Sequence, residues 1–236
     1  FFIEHNRGHH VRVATADDPA SSRLGETFWG FWPRTVVGSV RNGWRLERTR
    51  LRRMDKRVIS LRNDVLNAWA MTVVVWAAAL LLFGIGILPY LIVQAVIAFS
   101  LLEAVNYLEH YGLLRQTLPS GRFERVTPRH SWNNNHLTTN LFLYHLQRHS
   151  DHHANPTRRY QSLRHFEESP QLPAGYAAMI LLAYVPPLWR FVMDKRVLAH
   201  YGGDVTLANI DPRKSAKVLA KYGSAAGADP AQASAA

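Results

Sequence analysis

The sequence contains no cysteine. This absence excludes disulfide bonds, zinc ribbons and an iron site with thiolate ligands within the chain. An electron donor with cysteine ligands must therefore be another protein or another part of the polypeptide. A G-x-S-x-G motif is also absent, which removes the usual signature of a serine hydrolase. The sequence begins at Phe1 with neither a methionine nor a signal peptide, so we expect it to be incomplete at its N-terminus.

Charge is missing from one long stretch, because residues 65–102 contain no Asp, Glu, Lys or Arg. A helix needs about 20 apolar residues to cross the hydrocarbon core of a bilayer, so this stretch is long enough for two spans. We predict spans at about 66–83 and 88–108, joined by a turn that contains Gly84 and Pro89. The expected fold class is all-α: an integral membrane helical bundle, seen here as a fragment with a two-span hairpin and cytoplasmic His-rich helices.

Positive charge is abundant, and its position indicates orientation. The formal net charge is +11, and residues 45–62 carry eight basic side chains immediately before the first predicted span. Such a segment is typical of the cytoplasmic flank of a membrane helix, so we expect no nucleic-acid partner. A tight hairpin returns the chain to the side that it left. The segments before residue 64 and after residue 110 are therefore expected to lie together on the cytoplasmic side.

Three further stretches complete the expected organisation. Residues 173–189 are uncharged but interrupted by prolines, which favours an interfacial or re-entrant helix over a full span. Residues 216–236 are rich in small residues and are predicted to form a disordered tail or linker after a domain at 1–215. The pair Asp17 and Asp18 precedes Pro19, a pattern that favours the start of a helix over a chemical role.

Two histidine clusters carry the chemistry. The first has the spacing H-x-x-x-H-H, at His5, His9 and His10, and the second has H-x-x-H-H, at His149, His152 and His153. Side chains three and four residues apart share one helical face, as ligands of a metal require. Imidazole suits Zn, Fe, Cu or Ni. Six or seven histidines exceed the needs of one tetrahedral zinc, so two metals are expected. A non-enzymatic metal-binding or transport membrane protein is the alternative.

Other polar residues near these clusters are candidates for orienting the imidazoles rather than binding metal. His145 precedes His149 by one helical turn, whereas His130, His136 and His165 are interpreted as structural or supporting residues. The candidates for orienting residues are Glu4, Glu109, Asp151 and His145.

The motifs that contain the clusters resemble the membrane-bound alkane 1-monooxygenases. The resemblance rests on EHNRGHH at 4–10, NYLEHYG at 106–112 and LQRHSDHHANPTRRYQ at 146–161, and extends to SSRLGE at 21–26 and ESPQLPAGYA at 168–177. It covers nearly the whole chain. The motif LQRHSDHHANP is more specific than the histidine boxes that membrane desaturases and sterol or xylene oxygenases share.

The resemblance implies a six-helix, multi-pass protein of the bacterial inner membrane, with its active site on the cytoplasmic side. It implies two iron ions and no haem, and O2-dependent hydroxylation of medium-chain n-alkanes to 1-alkanols. The family's first box, H-E-x-x-H-K, has no counterpart here, and two ligands are missing with it. Matched position by position, the metal ligands implied by the resemblance are His5, His9, His10, His110, His149, His152 and His153.

The resemblance also implies electron transfer from rubredoxin, which is in turn reduced by rubredoxin reductase. A basic cytoplasmic face complements the acidic surface expected of rubredoxin. The candidate contacts are Arg148, Arg158, Arg159 and Arg164. The alternative within the same class is another histidine-box di-iron enzyme, either a fatty acyl desaturase or a xylene-type monooxygenase.

Overall fold

The computed structural model describes residues 1–223, and every regular element in that range is helical. Strand-like pairing is limited there to isolated bridges, such as those between Leu24 and Ile210 and between Asn133 and Gln171. The all-α prediction is confirmed. The N-terminal segment consists of α1 (Phe2–Glu4), a π-helical turn (His5–His9) and α2 (His10–Arg12).

A helical hairpin forms the apolar part of the molecule. It consists of α4 (Asp64–Phe83) and α5 (Leu88–His110), with Gly84 between them at a φ of 78° that favours glycine. Asn63 caps α4 by accepting hydrogen bonds from the first backbone N–H groups of the helix. Both helices are long and apolar enough to cross a membrane, and the chain itself covers little of their apolar surface. The two predicted spans are confirmed, and the protein is a multi-pass membrane protein.

The hairpin is braced by one long helix, α3 (Phe28–Arg53), which precedes it. Trp32 of α3 stacks on Phe99 of α5, with ring centroids 5.5 Å apart. Trp44 stacks on Trp69 of α4 at 6.2 Å. The α3 segment therefore contacts both spans through its tryptophans.

Two polar side chains inside the second span, Glu103 and Asn106, face protein rather than lipid. Glu103 is buried and accepts hydrogen bonds from the hydroxyl group of Thr35, at 2.9 Å, and from the side-chain amide of Asn106, at 3.0 Å. Polar groups in a span are costly unless they find partners. Here α3 provides one of the partners.

The remaining helices pack around the end of α5. They are α6 (Leu137–Phe142), α7 (His149–Ala154), α8 (Tyr176–Ala183), α9 (Pro186–His200) and α10 (Ser215–Tyr222). Large aromatic side chains dominate the core, to which α3, α5, α8, α9 and α10 contribute. The largest are Phe28, Phe31, Tyr107, Tyr111, Trp132, Tyr176 and Trp189.

Two stretches differ in detail from the sequence-based expectation. Residues 173–189 contain α8 and the start of α9, two helices that meet at an angle of 120° instead of forming one helix. The predicted tail starts too early, because residues 216–222 belong to α10, where Val218 is buried against the core. The rest of the predicted tail, from residue 224, lies outside the described residues.

Candidate metal centre

The first histidine cluster lies on a π-helical turn rather than on an α-helix. The N–H of His10 donates to the carbonyl oxygen of His5, an i→i−5 hydrogen bond that widens the turn. Residues five apart then share a face, so Nε2 of His10 lies 3.1 Å from Nε2 of His5. The imidazole of His9 points away from this pair. Gly8 leaves room for the neighbouring polar side chains, since a Cβ atom there would lie 2.7 Å from Oε1 of Glu4.

The second cluster lies on α7, which the preceding loop holds in place. Asn133 accepts a hydrogen bond from the backbone N–H of Ser150 at 2.9 Å and donates to its hydroxyl oxygen at 2.6 Å. His149 and His153 are one turn apart, and their Nε2 atoms lie 2.7 Å from each other. His152 lies on a different side of α7, with its Nε2 atom 3.5 Å from that of His5.

All seven predicted ligands come together, and they divide into two groups. The four-histidine group is buried and contains His9, His110, His149 and His153. The three-histidine group is partly exposed and contains His5, His10 and His152. Within each group, one ring nitrogen from every member lies within 4.8 Å of the others. The groups are adjacent, because the ring centroids of His10 and His153 are 4.8 Å apart.

Protonation in this cluster suits metal binding, which requires neutral imidazole. Burial, together with the neighbouring imidazoles, lowers the pKa of His5 to about 3 and that of His10 to about 4. The same causes lower the pKa of His149 and of His153 well below the usual value. Nitrogens that are buried without a hydrogen-bond partner in residues 1–223 include both ring nitrogens of His110. Such atoms are costly in a protein interior, and a bound cation would satisfy them.

Asp18, whose sequence context predicts the start of a helix, instead contacts one of the predicted ligands. Asp18 is buried, and its Oδ2 atom lies 2.8 Å from Nδ1 of His9. Burial alone would lower the pKa of His9, but the charge of Asp18 and its hydrogen bond outweigh burial and raise it. The pair leaves the buried Nε2 atom of His9 facing the four-histidine group. No local spacing in the sequence signals this contact, since a loop brings Asp18 back to the cluster.

Glu109, one of the predicted orienting residues, contacts a member of the four-histidine group. Its Oε1 atom accepts a hydrogen bond from the hydroxyl group of Tyr176 at 2.9 Å, and its Oε2 atom lies 3.0 Å from Nε2 of His149. The angle of this second contact is not that of a hydrogen bond. A carboxylate oxygen therefore borders the four-histidine group directly.

The other three predicted orienting residues do not contact the imidazoles in this way. Glu4 accepts hydrogen bonds from Asn42 and Arg12, and so ties the N-terminal segment to α3. Asp151 accepts from the loop that follows α7. His145 lies 3.2 Å from the carbonyl oxygen of Tyr160 and belongs to neither histidine group.

The four predicted partner contacts also have different surroundings. Arg158 and Arg164 lie against the buried carboxylate of Asp151, at 2.6 Å and 3.6 Å. Arg148 donates to the carbonyl oxygen of Leu163. Arg159 is exposed.

The histidines that were interpreted as structural or supporting lie outside both groups. His130 is buried and lies 3.1 Å from Oε1 of Glu124, while His136 and His165 contribute no ring nitrogen to either group. The geometry therefore sorts the histidines as the sequence motifs do.

The apolar spans and the histidine cluster beside them define a class: membrane proteins with a metal centre built from histidine side chains. A family model described as "Fatty acid desaturase" matches residues 1–183. The chain belongs to this family. Within it, the chain is similar to alkane 1-monooxygenases. That of Acinetobacter baylyi is 55% identical over 223 residues, which are 94% of this chain and 55% of that protein.

Two further relatives indicate the range of similarity. Alkane 1-monooxygenase 2 of Pseudomonas aeruginosa is 52% identical over 86% of this chain and 54% of its own length. The xylene/toluene monooxygenase hydroxylase component XylM of Pseudomonas putida is 28% identical over 82% of this chain and 51% of its own length. The chain spans about half the length of the curated relatives it matches.

Proposed function

We propose that the full-length protein is an alkane 1-monooxygenase that uses O2 to hydroxylate the terminal methyl group of medium-chain n-alkanes. The observation that carries this proposal is the convergence of seven histidines from three distant segments beside the end of an apolar span. The similarity to alkane 1-monooxygenases at about half of all positions supports the choice of reaction.

Two iron ions are the proposed cofactors, one in each histidine group, without haem. Two adjacent groups of three and four imidazoles exceed the needs of one ion, and imidazole is a common ligand of iron. When bound, the irons would supply the redox chemistry that activates O2. The proposed ligands are His5, His9, His10, His110, His149, His152 and His153. Asp18 would orient His9 through Nδ1, and Oε2 of Glu109 would border the four-histidine group beside His149.

The two histidine groups differ in their exposure to solvent, and this difference indicates from which side O2 and substrate reach the metals. His9, His110, His149 and His153 are buried, so the four-histidine group is closed to solvent by the chain itself. His5, His10 and His152 are partly exposed. We propose that O2 and substrate approach from the side of the three-histidine group.

An apolar cavity supports an alkane as the substrate. It has a volume of 340 Å³ and lies between the N-terminal segment, α3 and α4. Phe1, Ile3, Trp44 and Trp69 line it, and Glu4, the neighbour of His5, reaches its edge. An alkane offers no polar group for recognition. Selection of its terminal carbon must therefore come from the shape of the channel and the position of the chain end.

Rubredoxin is the proposed electron donor, and the proposed location of the site is the cytoplasmic face of the bacterial inner membrane. Of the four predicted arginine contacts, Arg158 and Arg164 already lie against Asp151. A second basic surface borders the group that supports His9. Its cavity of 320 Å³ is lined by Arg23, Arg41 and Arg45, and also by Asp18, the partner of His9. An acidic donor docked there would be separated from the four-histidine group by one side chain, that of Asp18.

Isotope labelling tests this proposal against the desaturase alternative. Membranes containing the full-length protein, rubredoxin and rubredoxin reductase are incubated with octane and ¹⁸O2. Label in 1-octanol supports terminal hydroxylation, whereas unlabelled alkene would contradict it. Competition between octane and xylene addresses the xylene-type alternative, since preferential oxidation of the aromatic methyl group would favour that enzyme.

A further inference from the structure

Four cationic side chains surround a small cavity between α9 and α10. The cavity has a volume of 90 Å³ and is lined by Arg190 of α9 and by Lys214, Lys217 and Lys221 in and just before α10. Among residues 1–223, none of the four forms an ion pair with Asp or Glu. Four like charges around one space repel each other, and an anion in the cavity would relieve that repulsion.

The cavity contains one carboxylate, and that group is already engaged. Asp194 accepts a hydrogen bond from the hydroxyl group of Tyr111 at 2.9 Å on one oxygen, and from that of Tyr222 at 2.8 Å on the other. Asp194 is buried, whereas Lys217 and Lys221 are exposed. One buried carboxylate leaves an excess of positive charge at the cavity mouth. The expected occupant is therefore an anion other than the side chains of residues 1–223.

The position of the cavity relative to the membrane indicates the source of that anion. Gly25 lines the cavity, and its N–H donates to the hydroxyl group of Tyr111, the residue that directly follows the second span. The cavity thus lies near the level where the span leaves the hydrocarbon, which is where lipid head groups lie. The apolar side chains of Leu188 and Phe191, also on α9, are exposed.

The size of the cavity and its surroundings together narrow the choice of anion. A space of 90 Å³ accepts a single phosphate or carboxylate group but not a folded acidic domain. Exposed apolar side chains on the same helix suit the acyl chains of a lipid rather than a soluble metabolite. Basic pockets at the membrane surface bind anionic head groups. We propose that this cavity binds the phosphate group of an anionic phospholipid and so attaches the α9–α10 region to the membrane surface.

The test measures lipid binding by the purified full-length protein and does not depend on its enzymatic activity. Native mass spectrometry compares the retention of phosphatidylglycerol with that of phosphatidylcholine. The test variant is Lys217→Gln combined with Lys221→Gln, because the amino group of Lys214 donates to the carbonyl oxygen of Gly25 and is kept for structural reasons. Each lysine contributes about a fivefold effect near an anionic surface, so we expect about 25-fold weaker phosphatidylglycerol binding.

Matched variants separate a specific site from general charge. Arg48→Gln with Arg52→Gln removes two exposed cations from α3 beside the first span and should lower phosphatidylglycerol binding clearly less than the test variant does. Replacing Lys217 and Lys221 by arginine should retain it. Equal loss in the α3 variant, or unchanged binding in the test variant, would overturn the proposal. So would displacement of the lipid by millimolar inorganic phosphate, which would identify a soluble anion as the occupant.

Misfolding of a variant is distinguished from loss of the lipid site. The melting temperature and metal content of each variant are measured beside lipid binding. If the double variant does not fold, Lys217→Gln alone replaces it, since this side chain is exposed and forms no hydrogen bond within residues 1–223. That variant should lose about fivefold in phosphatidylglycerol affinity. Wild-type affinity in this variant would count against the site.

Discussion

Removing the negative charge of Asp18 should weaken metal binding without removing any ligand. Asp18 is buried and holds Nδ1 of His9 at 2.8 Å, which leaves Nε2 of His9 as the free nitrogen in the four-histidine group. In Asp18→Asn the amide oxygen still accepts a hydrogen bond, but the charge that makes the imidazole a better ligand is gone. In Asp18→Ala both the acceptor and the charge are lost, and His9 is free to rotate.

The size of the effect follows from the role of such partners in metal sites. Loss of a group that orients a ligand typically costs a factor of about 10 to 100 in metal affinity. This range corresponds to about 1.4 to 2.7 kcal/mol. Because Asp18→Asn keeps an acceptor, we expect it to fall near the tenfold end. Asp18→Ala should approach the hundredfold end.

The assay measures iron retention by the full-length protein during competition with a chelator of known affinity, followed by elemental analysis. Asp17→Asn is the matched control, because this neighbouring carboxylate is exposed and lies outside the histidine contacts. Ser21→Ala removes a 2.6 Å hydrogen bond to Asp18 without touching His9. It should lower the melting temperature more than it lowers metal affinity.

Iron affinity equal to that of the wild type in both Asp18 variants would refute the reasoning. The same conclusion would follow if Asp17→Asn reduced iron affinity as much as Asp18→Asn does. If Ser21→Ala lost iron to the same extent, Asp18 would be acting through loop stability and not through His9.

Three further predictions concern the ligands, the π-helical turn and the metal itself. His153→Ala and His152→Ala should each lower iron content and abolish alkane hydroxylation. His165→Ala, the control, should retain both iron and activity. Full activity in a ligand variant would remove that residue from the ligand set. Gly8→Ala places a Cβ atom 2.7 Å from a buried carboxylate oxygen, so it should destabilise the fold by about 1 to 3 kcal/mol in thermal or denaturant unfolding; unchanged stability would show that the turn can relax. Removal of metal by a chelator should lower the melting temperature by about 5 °C or more, because bound ions stabilise only the folded state. An unchanged melting temperature after verified iron loss would contradict a metal held by both histidine groups.

The spans were predictable because their signal is local. A long uncharged stretch must leave water whatever surrounds it, and the turn between its halves contains Gly84, whose positive φ a glycine adopts without strain. The seven histidines were also predictable as a set, from their spacing and from the motifs that contain them. The residue types at these positions therefore carry most of the information about fold class and about the kind of site.

The division of the ligands was not predictable, because it depends on one backbone detail. On an α-helix His5 would pair with His9, but the π-helical turn pairs it with His10 and turns His9 toward His110. The same limit explains the misassignment of Asp18, whose role arises only when its loop folds back on His9. The bend between α8 and α9, by contrast, lies directly before Pro186 and Pro187, so it has a local cause.

The amino-acid sequence by itself determined that this is a helical membrane protein with an imidazole-rich centre, since hydrophobicity and ligand type are properties of single residues and short spacings. The tertiary structure decided which imidazoles share a site and which carboxylates support them. It also decided which arginines are already paired within the chain. These are relations between segments far apart in the chain, and their distances are set only when the whole chain packs.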